Sequence, residues 1–184
     1  MKRTSIILTI LFLISMVFKA NAQQPADVKI IPWTSFEKAI ETNAATKKDK
    51  KKIFIDVYTD WCGWCTHMEK TTFQDSTVIS LMNKYFLATK LNAERKDTVV
   101  YNGNKYVNPN PTTPRSTHQL AITLLKGQLA YPAFIFMDAS EKVIVIVKGY
   151  KAAPEFINIL KYYGEDIYLT KSWAEFQQNL TTPQ

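Results

Sequence analysis

Three segments combine β-branched and aromatic residues in runs of five or six: Ile53–Tyr58, Ala133–Met137 and Val143–Lys148. Such runs predict strands. The first is buried by its pattern and broken by a single acid, Asp56. Phe86–Leu91 reads as another strand, and Lys29–Ile31 as a short one. Helical signals fill the intervals. Thr34-Ser35-Phe36-Glu37 has the capping-box form, with Glu37 three after Thr34, and predicts a helix to about Ala44. A helical pattern runs from Cys62 to about Phe73, and Asp75-Ser76 caps a further helix ending at Tyr85. Thr117–Lys126 is helical and closed by Gly127. Pro154 suits the first turn of a helix that reaches Tyr163 and stops at Gly164. Ser172-Trp173-Ala174-Glu175 is a second capping box and opens a short terminal helix.

The connections refine this order. Lys47, Lys48, Lys50, Lys51 and Lys52 crowd one polar link, read as a solvated turn rather than an acidic docking patch. Asn102-Gly103, between Thr98–Tyr101 and Lys105–Val107, predicts a tight hairpin, and Asn108-Pro109-Asn110-Pro111 ends it as irregular chain. Asp138–Glu141 is short enough to join its flanking strands as an antiparallel pair. Helical crossovers imply parallel strands, and the late hairpin implies an antiparallel edge. The fold class is α/β: a mixed sheet with helices on both faces.

The N-terminus follows a different pattern. Lys2-Arg3 precede an apolar run from Ile6 to Phe18, and Ala20-Asn21-Ala22 follows. A charged start, an apolar stretch too short to span a bilayer and an A-x-A end describe a secretory signal peptide over residues 1–22. The expectation is a single domain over 23–184, soluble and periplasmic after cleavage. The composition agrees with one ordinary globular core: 184 residues, 46% apolar and 21% charged. The net charge is +7, but three positive charges and no acid fall in the first 22 residues, leaving +4. That excess gives no argument for nucleic acid. Five glycines exclude a glycine-rich phosphate cradle, and two His with two Cys leave few ways to hold a metal.

Export alters the reading of the cysteines. Cys62 and Cys65 are three apart, and a bridge closing so small a loop constrains the unfolded chain little. The spacing is better suited to chemistry. Trp61-Cys62-Gly63-Trp64-Cys65 follows the strand that ends near Thr59. At a helix start Cys62 meets unpaired N–H groups and the positive end of the dipole, which favour a thiolate. Cys65, one turn on, can close or resolve a disulfide. Asp56, in an apolar strand, is costly unless it has a partner.

Ile55–Cys65 resembles the strand, buried acid and active-site motif of the thioredoxin superfamily. Lys90-Leu91-Asn92 is similar to its lysine-bearing segment, and Tyr131-Pro132-Ala133-Phe134 to its cis-proline loop. The resemblance covers about Trp33 to Tyr163 and is closest to the exported thioredoxin-like domains of thiol:disulfide interchange proteins. It implies a thioredoxin-like sheet, from which the inserted hairpin over about 97–114 and the helical extension over 165–184 depart. It also implies roles. Cys62 is the attacking thiolate and Cys65 the resolving thiol; Asp56 accepts the Cys65 proton and Lys90 modulates its charge. Trp61, Gly63, Trp64, Tyr131 and Pro132 form the substrate surface, with the Tyr131–Pro132 bond cis. Trp64 stands where thioredoxin itself has proline.

The resulting expectation is a thiol:disulfide oxidoreductase, in the reducing direction, needing no cofactor beyond the Cys62–Cys65 couple. Its partners are protein thiols and disulfides and a recycling reductant, with no nucleic acid, no membrane-embedded part and a monomeric chain. Two rival readings remain. One is a non-catalytic peptide-binding module with an incidental disulfide. The other is a thiol metal carrier using Cys62, Cys65 and His67, for which only His118 is left as a fourth ligand.

Overall fold

The computed structural model describes residues 30–181, so the segment read as a signal peptide lies outside the described residues. A five-stranded sheet runs in the order β1 (Thr34–Ser35), β3 (Phe86–Asn92), β2 (Lys52–Tyr58), β6 (Ala133–Met137) and β7 (Val143–Lys148). The first three are mutually parallel, whereas β6 and β7 are antiparallel to their neighbours. Alternation along the central strand separates two layers. Ile53, Ile55 and Val57 pack beneath α1 (Phe36–Ala45) and α4 (Gln119–Leu124), against Phe36, Leu120 and Leu125. Phe54 faces the opposite layer, where it meets Phe134, Phe136 and Phe156. That layer is roofed by α2 (Gly63–Lys70), α3 (Ser76–Tyr85) and α5 (Ala153–Gly164).

Local chemistry accounts for the element ends. Asp75 caps α3 through Oδ1, which accepts from the N–H groups of Thr77 and Val78. Pro154 lies in the first turn of α5. At the other end of α5 a Cβ on Gly164 would come within 2.8 Å of the Tyr85 ring, so the α3–α5 crossing requires glycine there. Ser172 and Glu175 exchange capping-box bonds at the start of α6 (Trp173–Thr181). Trp173 and Phe176 of that helix then pack on Tyr162.

The inserted hairpin lies outside the central sheet. Strands β4 (Val99–Tyr101) and β5 (Asn104–Tyr106) pair only with each other, around Asn102 and Gly103, both at positive φ. Val99 and Tyr101 turn inward, and Tyr101 meets the Phe36 ring edge-on at 5.0 Å. Arg95 ties the insertion to α1 by pairing with both Glu37 and Asp97.

Several local expectations are corrected. Ile31 is buried but in no strand, and pairing begins instead at Thr34, after Pro32, which has no N–H to give a ladder; Lys29 lies outside the described residues. With Thr34 in the sheet, the cap of α1 passes to Ser35, whose Oγ accepts from Lys38 N, and Glu37 turns to Arg95. The helix expected over 62–73 ends at Lys70, and a 3₁₀ turn covers Thr72–Gln74. The helix expected over 117–126 is shorter because His118 caps it, its Nδ1 accepting from Leu120 N. Lys52 belongs to β2 rather than to the lysine-rich turn, and its ammonium bonds Asp166 and the Gly164 carbonyl.

Candidate active site

Strand β2 ends at Tyr58, and four residues later the chain turns into α2 with Cys62 as its N-cap. Cys62 Sγ accepts a hydrogen bond from Cys65 N at 3.1 Å, so the sulfur lies where the helix presents its free N–H groups. Cys62 and Cys65 are joined by a disulfide. Both are 5–6% exposed, close enough to the surface for the bond to be met by a partner without opening the core.

The buried acid lies behind them. Asp56 is 2% exposed and in register between Lys90 on β3 and Phe134 on β6. Its Oδ2 is 3.3 Å from Lys90 Nζ, while Oδ1 meets no donor among the described residues. Burial pushes its carboxyl up to about 6; Lys90 pulls it down, and the carboxylate of Glu69 pushes it up again. Lys90 is shared, because its ammonium also pairs with Glu69. The rings of Trp33 and Tyr58 flank it at 4.7 and 5.4 Å. A cavity of about 290 Å³ has Cys65, Thr66, Thr59, Glu69 and Lys90 on its walls.

An aromatic rim surrounds the disulfide. Trp61 and Trp64 are 51% and 59% exposed, which is unusual for tryptophan. Trp64 packs on Tyr150 and His67, and Trp61 meets Tyr131 edge-on at 6.0 Å. Trp61 Nε1 donates to Glu94 Oε1. Nothing lies within 4 Å of a Cβ built on Gly63, so that glycine leaves the helix start open. The Tyr131–Pro132 peptide bond is cis, and Pro132 O accepts from Gly149 N.

The structure thus brings Asp56 and Lys90 into contact, and joins Trp61 to Tyr131. His118 is placed elsewhere. It is buried at the start of α4, with Nε2 against the Asp97 carbonyl and Nδ1 capping that helix. Burial lowers its pKa. Among the described residues no three His, Cys, Asp or Glu side chains are grouped to hold a metal ion. The sequence reading missed Glu69, although it stands four residues after Cys65 and therefore one helical turn below it on the same face. It also missed Trp33 and Arg115, whose positions depend on segments remote in sequence.

A mixed sheet in this order, with a disulfide capping the helix after its central strand and a cis-proline loop, defines a thioredoxin-like fold with a cysteine pair at its helix start. The family model Thioredox_DsbH, described as a protein of unknown function (DUF255), matches residues 15–181, and the chain belongs to that family. Among curated proteins, the thiol:disulfide interchange protein DsbD of Vibrio vulnificus is 33% identical over 64 residues, covering 35% of this chain and 11% of that protein. The chain therefore spans about a tenth of that relative's length. Among solved structures, "DsbH Oxidoreductase" superposes with a TM-score of 0.51 at 16% identity, covering 84% of this chain and 98% of that one. A thioredoxin-fold protein from Helicobacter pylori gives 0.52 at 15% identity, covering 72% and 81%. These two likenesses concern the fold. Among the described residues no helix is long and apolar enough to cross a membrane.

Proposed function

We propose that this chain is an exported thiol:disulfide oxidoreductase that reduces disulfides in other proteins, with Cys62 as nucleophile and Cys65 as resolving thiol. The observation that carries the reading is Cys62 Sγ at the N-cap of α2, with Cys65 opening on a cavity walled by Lys90 and Glu69. In the dithiol form the helix terminus stabilises the Cys62 thiolate. That thiolate attacks one sulfur of a client disulfide. A Cys62–client bond forms, the client S–S bond breaks, and the departing sulfur leaves as a thiolate that takes a proton from water. Cys65 then gives its proton to Asp56 and attacks Cys62 Sγ, expelling the second client sulfur. The client gains two electrons and the protein is left with the Cys62–Cys65 disulfide.

Asp56 suits the proton transfer because a carboxyl raised to about 6 exchanges protons close to neutrality. Lys90 offsets its charge once it is ionised. Trp61, Gly63, Trp64, Tyr131 and Pro132 provide the surface on which the client lies. The redox couple is the cysteine pair itself, and a dithiol protein returns it to the reduced state. Placement outside the cytosol rests on the charged, apolar and A-x-A pattern of residues 1–22.

Trapping tests this reading. Cys65→Ser, mixed with an excess of a disulfide-containing protein, is expected to accumulate a covalent adduct that thiol reagents release. Cys62→Ser is expected to form none. Absence of an adduct in both variants overturns the proposal and leaves a non-catalytic peptide-binding module.

A further inference from the structure

The segment between β3 and α4 does more than carry a hairpin. After β5 it forms a loop clamped by one buried side chain, Asn108. Asn108 Nδ2 donates to the carbonyls of Arg95 and Ser116, and Oδ1 accepts from Asn110 N and Ser116 Oγ. His118, fully buried, fixes the end of the loop by bonding back to Ala93 O and Asp97 O. At the loop's apex Arg115 is exposed, in the left-handed region at φ 63°, and its guanidinium lies 4.8 Å from the centre of the Trp61 ring. Trp61 is the immediate neighbour of Cys62.

We propose that Arg115 is a specificity-determining residue, which selects client polypeptides carrying a carboxylate side chain close to the cysteine under attack. The inference rests on the reductase reading above. Among the described residues Arg115 makes no ion pair, so its planar fork of donors is available. Stacking on an indole holds that fork in place, so less rotamer freedom is lost when a carboxylate binds. The acids nearby are already engaged by neutral donors: Glu94 by Trp61 Nε1, and Asp60 by Asn92 Nδ2. They remain negative and disfavour an acidic client further round the rim, which confines the favourable position to the Arg115 side. The client's cysteine meets Cys62 while its acidic neighbour reaches across Trp61.

The test uses two disulfide-linked peptides that differ only in Asp or Lys beside the cysteine, reduced by the full chain and by three variants. The readout is the ratio of kcat/KM for the two peptides within each protein, so that any general loss of activity cancels. Wild type is expected to favour the Asp peptide about threefold, the worth of an exposed ion pair, and less at high salt. Arg115→Ala is expected to bring the ratio to about one, Arg115→Lys to keep part of it, and Arg115→Glu to reverse it. A ratio that is the same in wild type and Arg115→Ala overturns the proposal while leaving the reductase reading intact. Failure of wild type to reduce either peptide overturns both.

Discussion

Two residues on one face of the central strand have opposite surroundings. Phe54 is ringed by Trp33, Phe86, Phe134, Phe136 and Phe156, with centroids 5.2–6.2 Å away. Asp56, one pleat further toward the disulfide, has one ammonium on Oδ2 and no donor on Oδ1. Both are almost fully buried. Packing and edge-to-face contacts favour the first site, whereas desolvation opposes the second. The layer therefore has an apolar end that holds the fold and a charged end that is maintained against stability. The proton-transfer role proposed above for Asp56 would account for an acid kept buried at that cost.

The largest effect should come from the apolar end. Phe54→Ala removes the ring at the centre of five others and is expected to destabilise the protein by about 3–5 kcal/mol. Urea unfolding of the oxidised form measures it. A loss below about 1 kcal/mol would mean that the surrounding rings collapse into the space, and the contrast between the two ends would weaken.

The next effect has the opposite sign. The unfolded Asp56 carboxyl releases its proton near 3.8, whereas the folded one holds it to about 6. Between those values the folded state binds more protons, so stability falls as pH rises through that window, and the cost is complete above about 6. Asp56→Asn removes the cost without leaving Lys90 alone, since Glu69 still pairs with it. At pH 7.5 the variant is expected to be more stable by up to about 3 kcal/mol, and near pH 3.5 to match wild type. Resolution of the mixed disulfide should slow by about a hundredfold. Equal stability of the two proteins at both pH values would show that Asp56 is not held against its own solvation.

The apolar end was the more legible from sequence, for a physical reason. The segments β2, β6 and β7 are short β-branched and aromatic runs whose burial needs no knowledge of partners, and the hairpin carried Asn102-Gly103. The Cys62–Cys65 spacing and Asp56 were visible in the residues themselves, and Lys90 through the family resemblance. What escaped depends on registers and turns that join distant segments. Lys90 lies beside Asp56 only because β2 and β3 pair with that offset, and Trp33 reaches the lysine where pairing at β1 starts at Thr34, five residues after the expected start at Lys29. Glu69 was within reach, four residues after Cys65 on one helix face, but its meaning appears only once Lys90 is placed across from it.

The smallest effect concerns how the two carboxylates share that lysine. Glu69 acts on Asp56 in two ways. Its charge repels the ionised form of Asp56, and it draws the Lys90 ammonium toward itself. Glu69→Gln removes the repulsion and leaves the full ammonium charge to Asp56. Both changes favour ionisation, so the Asp56 midpoint should fall below its value of about 6. Because the Glu69 side chain is 37% exposed and solvent screens it, the fall should be on the order of half a pH unit. Lys90→Met should move the midpoint upward, since burial then acts with no cation opposing it. Carbon-13 NMR of the Asp56 carboxyl through a pH titration reads both variants directly. If Glu69→Gln leaves the midpoint unchanged while Lys90→Met raises it, Glu69 is only a surface partner of the lysine. The charged end of the layer would then reduce to the single pair Asp56 and Lys90.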